Sequence, residues 1–304
     1  MDRGRTQTAW ESLNTLLTAG TLGALSDSQL LDHFHRDHDA TGQEAFRILV
    51  ERHGAMVLGI CRDLVRDPHE AEDAFQATFL VLVRRAASIR RRETIAPWLY
   101  GVAYRVARRA RARSARRRKR EVAIEVDLAS PDRPAPELSG ADQALQEEIR
   151  LLPASLRAPL ILCCLEGQSY AQAARRLGMR ESTLRGRLHR ARRRLEARLR
   201  RRGLLALVAG RLADPGGLAP PPLPSSLIES TTQFAARWSS VSGLLAGAGT
   251  MPEPIADLAR GAVHAMLFCG PTTHRRAWMV ILPPPHHPRE CSSEPTAAAC
   301  SGVG

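Results

Sequence analysis

The side chains best equipped for chemistry in this 304-residue sequence are guanidinium groups. Lysine and arginine together number 44, and Lys119 is the one lysine among them. Arginine's planar fork binds phosphate oxygens and guanine edges two bonds at a time, which an ammonium does not. An arginine-rich genome bias also replaces lysine, but bias does not cluster charge. Residues 84–120 carry 15 basic groups against 1 acidic, and residues 175–202 carry 13 against 2. The net charge is +13, so the remainder of the chain is acidic. Two cationic bodies in an acidic frame are the footprint of a protein that binds a long polyanion.

Other residue types sharpen that reading. Trp98, Tyr100 and Tyr104 sit beside Arg105, Arg108, Arg109, Arg111 and Arg113. Cations that track a backbone next to aromatic faces suit an unstacked nucleic-acid strand. Trp98 also lies at helical spacing from Val102, so a core role fits it equally, and Arg108 and Arg109 are better backbone contacts than the tyrosines are base contacts. Bond-making chemistry is not in evidence: the sequence has no phosphate loop, nucleophile elbow or paired catalytic carboxylates, and catalysis is not expected. Asp32, His33, His35, His38 and Asp39 spread around a helix, and the six cysteines (Cys61, Cys163, Cys164, Cys269, Cys291, Cys300) have no CxxC pairing. Reduced thiols, no metal and no cofactor are therefore expected.

The elements that must position these groups are helices. Aromatics make up 4% of the chain, and Ala, Leu and Arg dominate it, which disfavours strands. The expected fold is all-α, with two small helical domains joined by a flexible linker and a C-terminal extension. Residues 1–24 form an N-terminal arm. Residues 25–115 form a bundle in which Leu30, Leu31 and Phe34, then Ala45, Phe46, Leu49 and Val50, recur at three-and-four spacing. Asp67-Pro68 breaks one helix and starts another, with Glu70, Glu72 and Asp73 early in it where the dipole favours negative charge. On that helix Ala71, Phe75, Phe79 and Leu82 make the inward stripe. Glu72, Asp73 and Gln76 are left outward, an edge that suits a basic partner helix or is an ordinary solvated face.

Residues 116–140 form the linker, which from residue 121 onward loses periodicity and gains proline. In the second module, 141–202, the run SYAQAARRLGMRESTLRGRLHRARRRL (169–195) predicts a helix-turn-helix. Ala173 and Ala174 permit close approach, Gly178 makes the turn, and Leu184 and Leu188 anchor the second helix. The other face of that helix carries Ser182, Thr183, Arg185, Arg187, His189 and Arg190. At about 1.5 Å per residue it is long enough to lie in a major groove while its later arginines reach phosphates. Residues 203–270 read as a partly helical extension, with two short helices expected in 226–268, and residues 271–304 as a disordered tail.

The second module resembles region 4 of extracytoplasmic-function sigma factors, the bacterial RNA polymerase subunits that direct transcription initiation. The likeness runs through LPASLRAPLILCCLEGQSYAQAARRLG and ESTLRGRLHRARRRLEARL. Ala173 stands where a larger aliphatic residue is usual, and Arg180 where a capping serine is. PHEAEDAFQATFLVLVRRA and IAPWLYGVAYRVARRARARSARRR independently resemble region 2 of the same family. The resemblance implies that Glu72, Asp73 and Gln76 dock on the β-prime clamp helices of core RNA polymerase, with Ala77 departing from a common acidic residue. It further implies that region 4 meets the β flap and reads the minus-thirty-five element as duplex, and that Trp98, Tyr100, Tyr104, Arg105, Arg108 and Arg109 engage the melted minus-ten DNA. The two elements lie about 70 Å apart at 34–36 Å per turn. The linker's 20 aperiodic residues, 121–140, reach at most about that distance.

An anti-sigma regulator is a further implied partner. The rival readings are a stand-alone helix-turn-helix regulator that acts without polymerase and an RNA-binding protein. Without a long apolar run or a signal-peptide pattern, no membrane segment is expected, and the chain is expected in the cytoplasm.

Overall fold

The computed structural model describes residues 22–36, 40–86, 89, 94–124, 136–213, 222–239 and 252–268. Every regular element among them is helical. The expected arm up to residue 21 and the tail from residue 269 lie outside the described residues, as do His38, Asp39 and most of the loop before Thr94.

Four helices build the first module: α1 (Asp27–Arg36), α2 (Ala40–Leu64), α3 (Pro68–Arg85) and α4 (Ala96–Ile124). The Asp67-Pro68 pair sets the start of α3. The Asp67 side chain accepts the Glu70 N–H at 3.0 Å, Pro68 occupies a first-turn position that needs no donor, and Arg84 and Arg85 sit in the last turn. Phe34, Phe46, Phe75 and Phe79 meet in the core, with Phe34 and Phe46 centroids 4.6 Å apart and Phe75 and Phe79 5.0 Å apart. Such pairs add about 0.5–1.5 kcal/mol each beyond the area they bury.

The second module comprises α5 (Pro136–Arg150), α6 (Ala154–Leu160), a wide π-turn (Ile161–Leu165), α7 (Tyr170–Arg176) and α8 (Glu181–Arg201). Helix α4 runs nine residues past residue 115, and α5 begins four residues before residue 140. Residues 125–135 lie outside the described residues. Helix α8 ends where Gly203 adopts φ +70°, its N–H bonding Arg200 O and Leu204 N–H bonding Leu199 O. This is the paired hydrogen-bond closure that a left-handed glycine permits.

Beyond it come α9 (Leu205–Ala213), α10 (Ser225–Ser239) and α11 (Glu253–Phe268). The last two do not trail away. Helix α10 packs on α2 and α3, and α11 packs on α3 and α4, so the extension closes over the first module. Both modules and the extension as far as Phe268 fall in a single compact unit.

Candidate nucleic-acid and partner interface

The helix-turn-helix is built by local chemistry. Ser169 caps α7: its Oγ accepts the Gln172 N–H at 3.3 Å, and Gln172 Oε1 accepts the Ser169 N–H at 3.0 Å. The S-x-x-Q spacing announces this reciprocal box, although the sequence reading passed over it. At the turn, Gly178 has φ +62°, the Gly178 N–H bonds Arg175 O, and the Met179 N–H bonds Ala174 O. Arg180 precedes α8 with extended backbone and makes no side-chain cap bond. Leu184, Leu188, Ala191, Leu195 and Leu199 are buried along one side of α8, and Ala173 and Ala174 are buried where α7 meets it. The opposite side leaves Ser182, Thr183, Arg185, His189 and Arg190 exposed, with Arg187 half-buried.

Arg185 is held in place. Its guanidinium bonds Glu181 Oε1 at 2.5 Å and lies 5.2 Å from the Tyr170 ring centroid. Farther along α8, Arg193, Arg194, Arg200 and Arg201 stay exposed, while two arginines near its end are paired. Arg198 pairs with Glu148 at 3.2 Å, and Arg202 pairs with Glu147 and Glu148 at 3.1 and 3.3 Å. These two therefore brace α5 against α8.

On α4, Arg105, Arg108 and Arg109 are exposed and Trp98 is half-buried. The two tyrosines are placed differently from the sequence reading. Tyr100 is 1% exposed, and its hydroxyl donates to the Gln146 carbonyl and side-chain oxygens, both at 3.1 Å. Gln146 in turn donates to Asp63 at 2.8 Å. Burial pushes the Tyr100 phenol well above its ordinary range. Tyr104 is 2% exposed, with the Arg150 and Arg108 guanidiniums 5.1 and 5.9 Å from its ring centroid. Both rings stand in packing against the second module, which removes them from any strand that approaches this arrangement.

On α3, Glu72 and Asp73 are half-buried. Burial raises the Asp73 carboxyl, and neighbouring Glu70 and Glu72 raise it further. Gln76 does not face outward as expected: it is 8% exposed and donates to Ser230 Oγ of α10 at 2.9 Å. The three-and-four spacing of α3 could not reveal this, because the covering residue lies 154 positions along the chain.

A buried ion cluster joins the modules. At the start of α1 the Asp27 side chain is fully buried, with Oδ1 2.5 Å from Arg52 and Oδ2 3.3 Å from His53 Nε2 and 3.5 Å from Arg176. Ser26 takes the capping role, accepting the Gln29 N–H at 3.3 Å. His53 Nδ1 meets Glu166 Oε1 at 2.5 Å, just past the π-turn. Burial alone would depress the His53 imidazolium, but the Glu166 and Asp27 carboxylates outweigh it and raise its pKa to about 9. Burial would likewise raise Asp27, yet His53, Arg52 and Arg176 hold it far below the usual carboxylate range.

Fold and exposed face together define a helical DNA-binding protein of the helix-turn-helix type with a second helical module. Residues 49–120 match the family described as Sigma-70 region 2, and residues 142–195 match Sigma-70, region 4. The chain is 31% identical over 167 residues to the ECF RNA polymerase sigma factor SigE of Mycolicibacterium smegmatis, a match covering 52% of this chain and 64% of SigE. It is 31% identical to the RNA polymerase sigma factor CarQ of Myxococcus xanthus, over 49% of this chain and 85% of CarQ. It is 32% identical to the ECF RNA polymerase sigma factor SigM of Mycobacterium tuberculosis, over 56% of this chain and 83% of SigM. The match to SigE thus spans just under two thirds of that relative. This chain belongs to the extracytoplasmic-function family of RNA polymerase sigma factors. Both family-model matches end by residue 195, short of α10 and α11.

Proposed function

We propose that this chain binds core RNA polymerase and directs it to promoters. The observation that carries the reading is the exposed face of α8 (Ser182, Thr183, Arg185, His189 and Arg190) on a helix whose other side is anchored by buried leucines. A helix so presented enters a major groove, and Arg185, already oriented by Glu181, is the natural guanine reader. Arg105, Arg108 and Arg109 of α4 then hold the minus-ten backbone. Glu72, Asp73 and Gln76 of α3 supply the contact to the β-prime clamp helices, and the second module meets the β flap.

Tyr100 and Tyr104 reach unpaired bases only after the second module leaves α4. Separation is required in any case, because packed modules do not span elements about 70 Å apart. Bond formation belongs to polymerase, so the chain itself has no catalytic role. No described helix is long and apolar enough to cross a membrane, and promoter binding assigns the chain to the cytoplasm. The stand-alone regulator loses ground because the region 2 match has no purpose without polymerase.

Reconstitution of core polymerase with the full chain on genomic promoter fragments tests the proposal. Run-off transcripts that depend on the chain are expected, and none with core polymerase present and active would refute it.

A further inference from the structure

The extension packs over Gln76 on α3 and pairs with two arginines of α4. Leu227, Thr231 and Ala235 recur every four residues on α10 and are buried, and Ile255, Ala256, Leu258, Ala259 and Ala262 make the corresponding stripe on α11. Small residues along these stripes allow the helices to lie close on α3. Three polar contacts then fix the register. Gln76 is bonded to Ser230. The Arg84 guanidinium lies 4.7 Å from the Trp238 ring centroid. Asp257 of α11 pairs with Arg113 at 3.3 Å and faces Arg109 at 3.9 Å.

Two glycines make room for this seating. A Cβ on Gly54 of α2 would lie 2.4 Å from Leu223 Cδ2, in the lead-in to α10. The Arg109 guanidinium sits where a Cβ on Gly261 of α11 would be. Thus an α3 residue assigned to polymerase and two α4 arginines facing DNA are engaged by one continuous stretch of this chain.

We propose that α10 and α11 are an intramolecular competitor of core polymerase and minus-ten DNA, displaced when the chain joins the enzyme. This rests on the sigma-factor reading of the first module. Its logic is a two-state equilibrium. The seated extension buries Gln76 and ties Arg109 and Arg113 to Asp257, and only chains with it lifted release all three, so the apparent affinity for polymerase falls by the fraction of chains that are open. Asp257 acts as a carboxylate stand-in for a DNA phosphate opposite Arg113. Removing the clasp raises the apparent affinity by the inverse of that fraction, about tenfold if one chain in ten is open at rest.

The test uses the full chain with Thr231→Arg and Ala259→Arg together, both on buried stripes of the extension and neither in the binding surfaces. Binding of labelled core polymerase is titrated against wild type and variant. A gain of about tenfold or more supports the proposal. Equal affinity of the two chains overturns it while leaving the sigma-factor reading intact, and no binding by either chain overturns both. Hydrogen exchange on the unmodified chain guards against a misfolded variant. On adding core polymerase, amides of residues 225–239 and 253–268 should lose protection while those of residues 69–85 keep it. Extension amides that stay protected in the bound chain overturn the proposal.

Discussion

The His53 cluster yields a sharp prediction about pH. Asp27 and His53 belong to the first module, whereas Glu166 and Arg176 belong to the second, so protonation of His53 is tied to how firmly the modules dock. The imidazole has its pKa raised from 6.5 to about 9 by two flanking carboxylates. A group whose folded pKa is raised contributes stability fully present below its unfolded pKa, and that contribution is lost as pH rises through the folded value. The window is therefore pH 6.5 to 9, and the shift corresponds to about 3 kcal/mol across it. Above it, a neutral ring offers one N–H to two buried carboxylates, and one of them is left facing a lone pair. Urea unfolding of wild type and His53→Gln at pH 6 and pH 10 isolates the effect, because every other titrating group is common to both chains. Wild type should lose about 3 kcal/mol more than the variant. An NMR titration of the His53 ring should show a midpoint near 9. Parallel pH profiles for the two chains, or a ring that titrates at or below 6.5, would refute the reasoning.

Other expectations follow from the same geometry. Arg185→Ala should cost about 1–3 kcal/mol of promoter affinity and relax preference at one base pair, measured against a panel of single-base variants; uniform weakening would make it a phosphate contact instead. Affinity for promoter DNA should fall steeply and linearly on a log–log salt plot, and a flat response would contradict the charge argument. Gly178→Ala, forced to φ +62°, should destabilise the full chain by about 1–2 kcal/mol in urea, and an unchanged midpoint would mean that the turn relaxes without cost. Tyr100→Phe should cost about 1 kcal/mol of stability by orphaning the Gln146 acceptors. Urea unfolding of the full chain checks this, and an unchanged midpoint would mean that the hydroxyl's bonds to Gln146 contribute nothing to stability.

Local grammar was legible in the residues themselves. The Asp67-Pro68 start of α3, the leucine stripe of α8, the left-handed turn at Gly178 and the exposed guanidinium face of the recognition helix each depend on residues within a turn or two of one another. Hydrogen-bond closure and the 3.6-residue period act over that range, so spacing alone determines them. Clustered charge was readable for the same reason, since a run of arginines is basic whatever it packs against.

Only the tertiary structure decided which exposed faces stay exposed. Gln76 has the outward position of its helix, yet it is covered by Ser230, 154 residues away. Tyr100 and Tyr104 keep the spacing of strand-binding aromatics and are spent on packing against α5. His53 finds Glu166 across 113 residues, and Asp27 at the head of α1 finds Arg52, His53 and Arg176 in a buried ion cluster. Contacts between distant segments depend on how whole surfaces fit and on which partners can neutralise a buried charge, and no periodicity within a single helix encodes that choice.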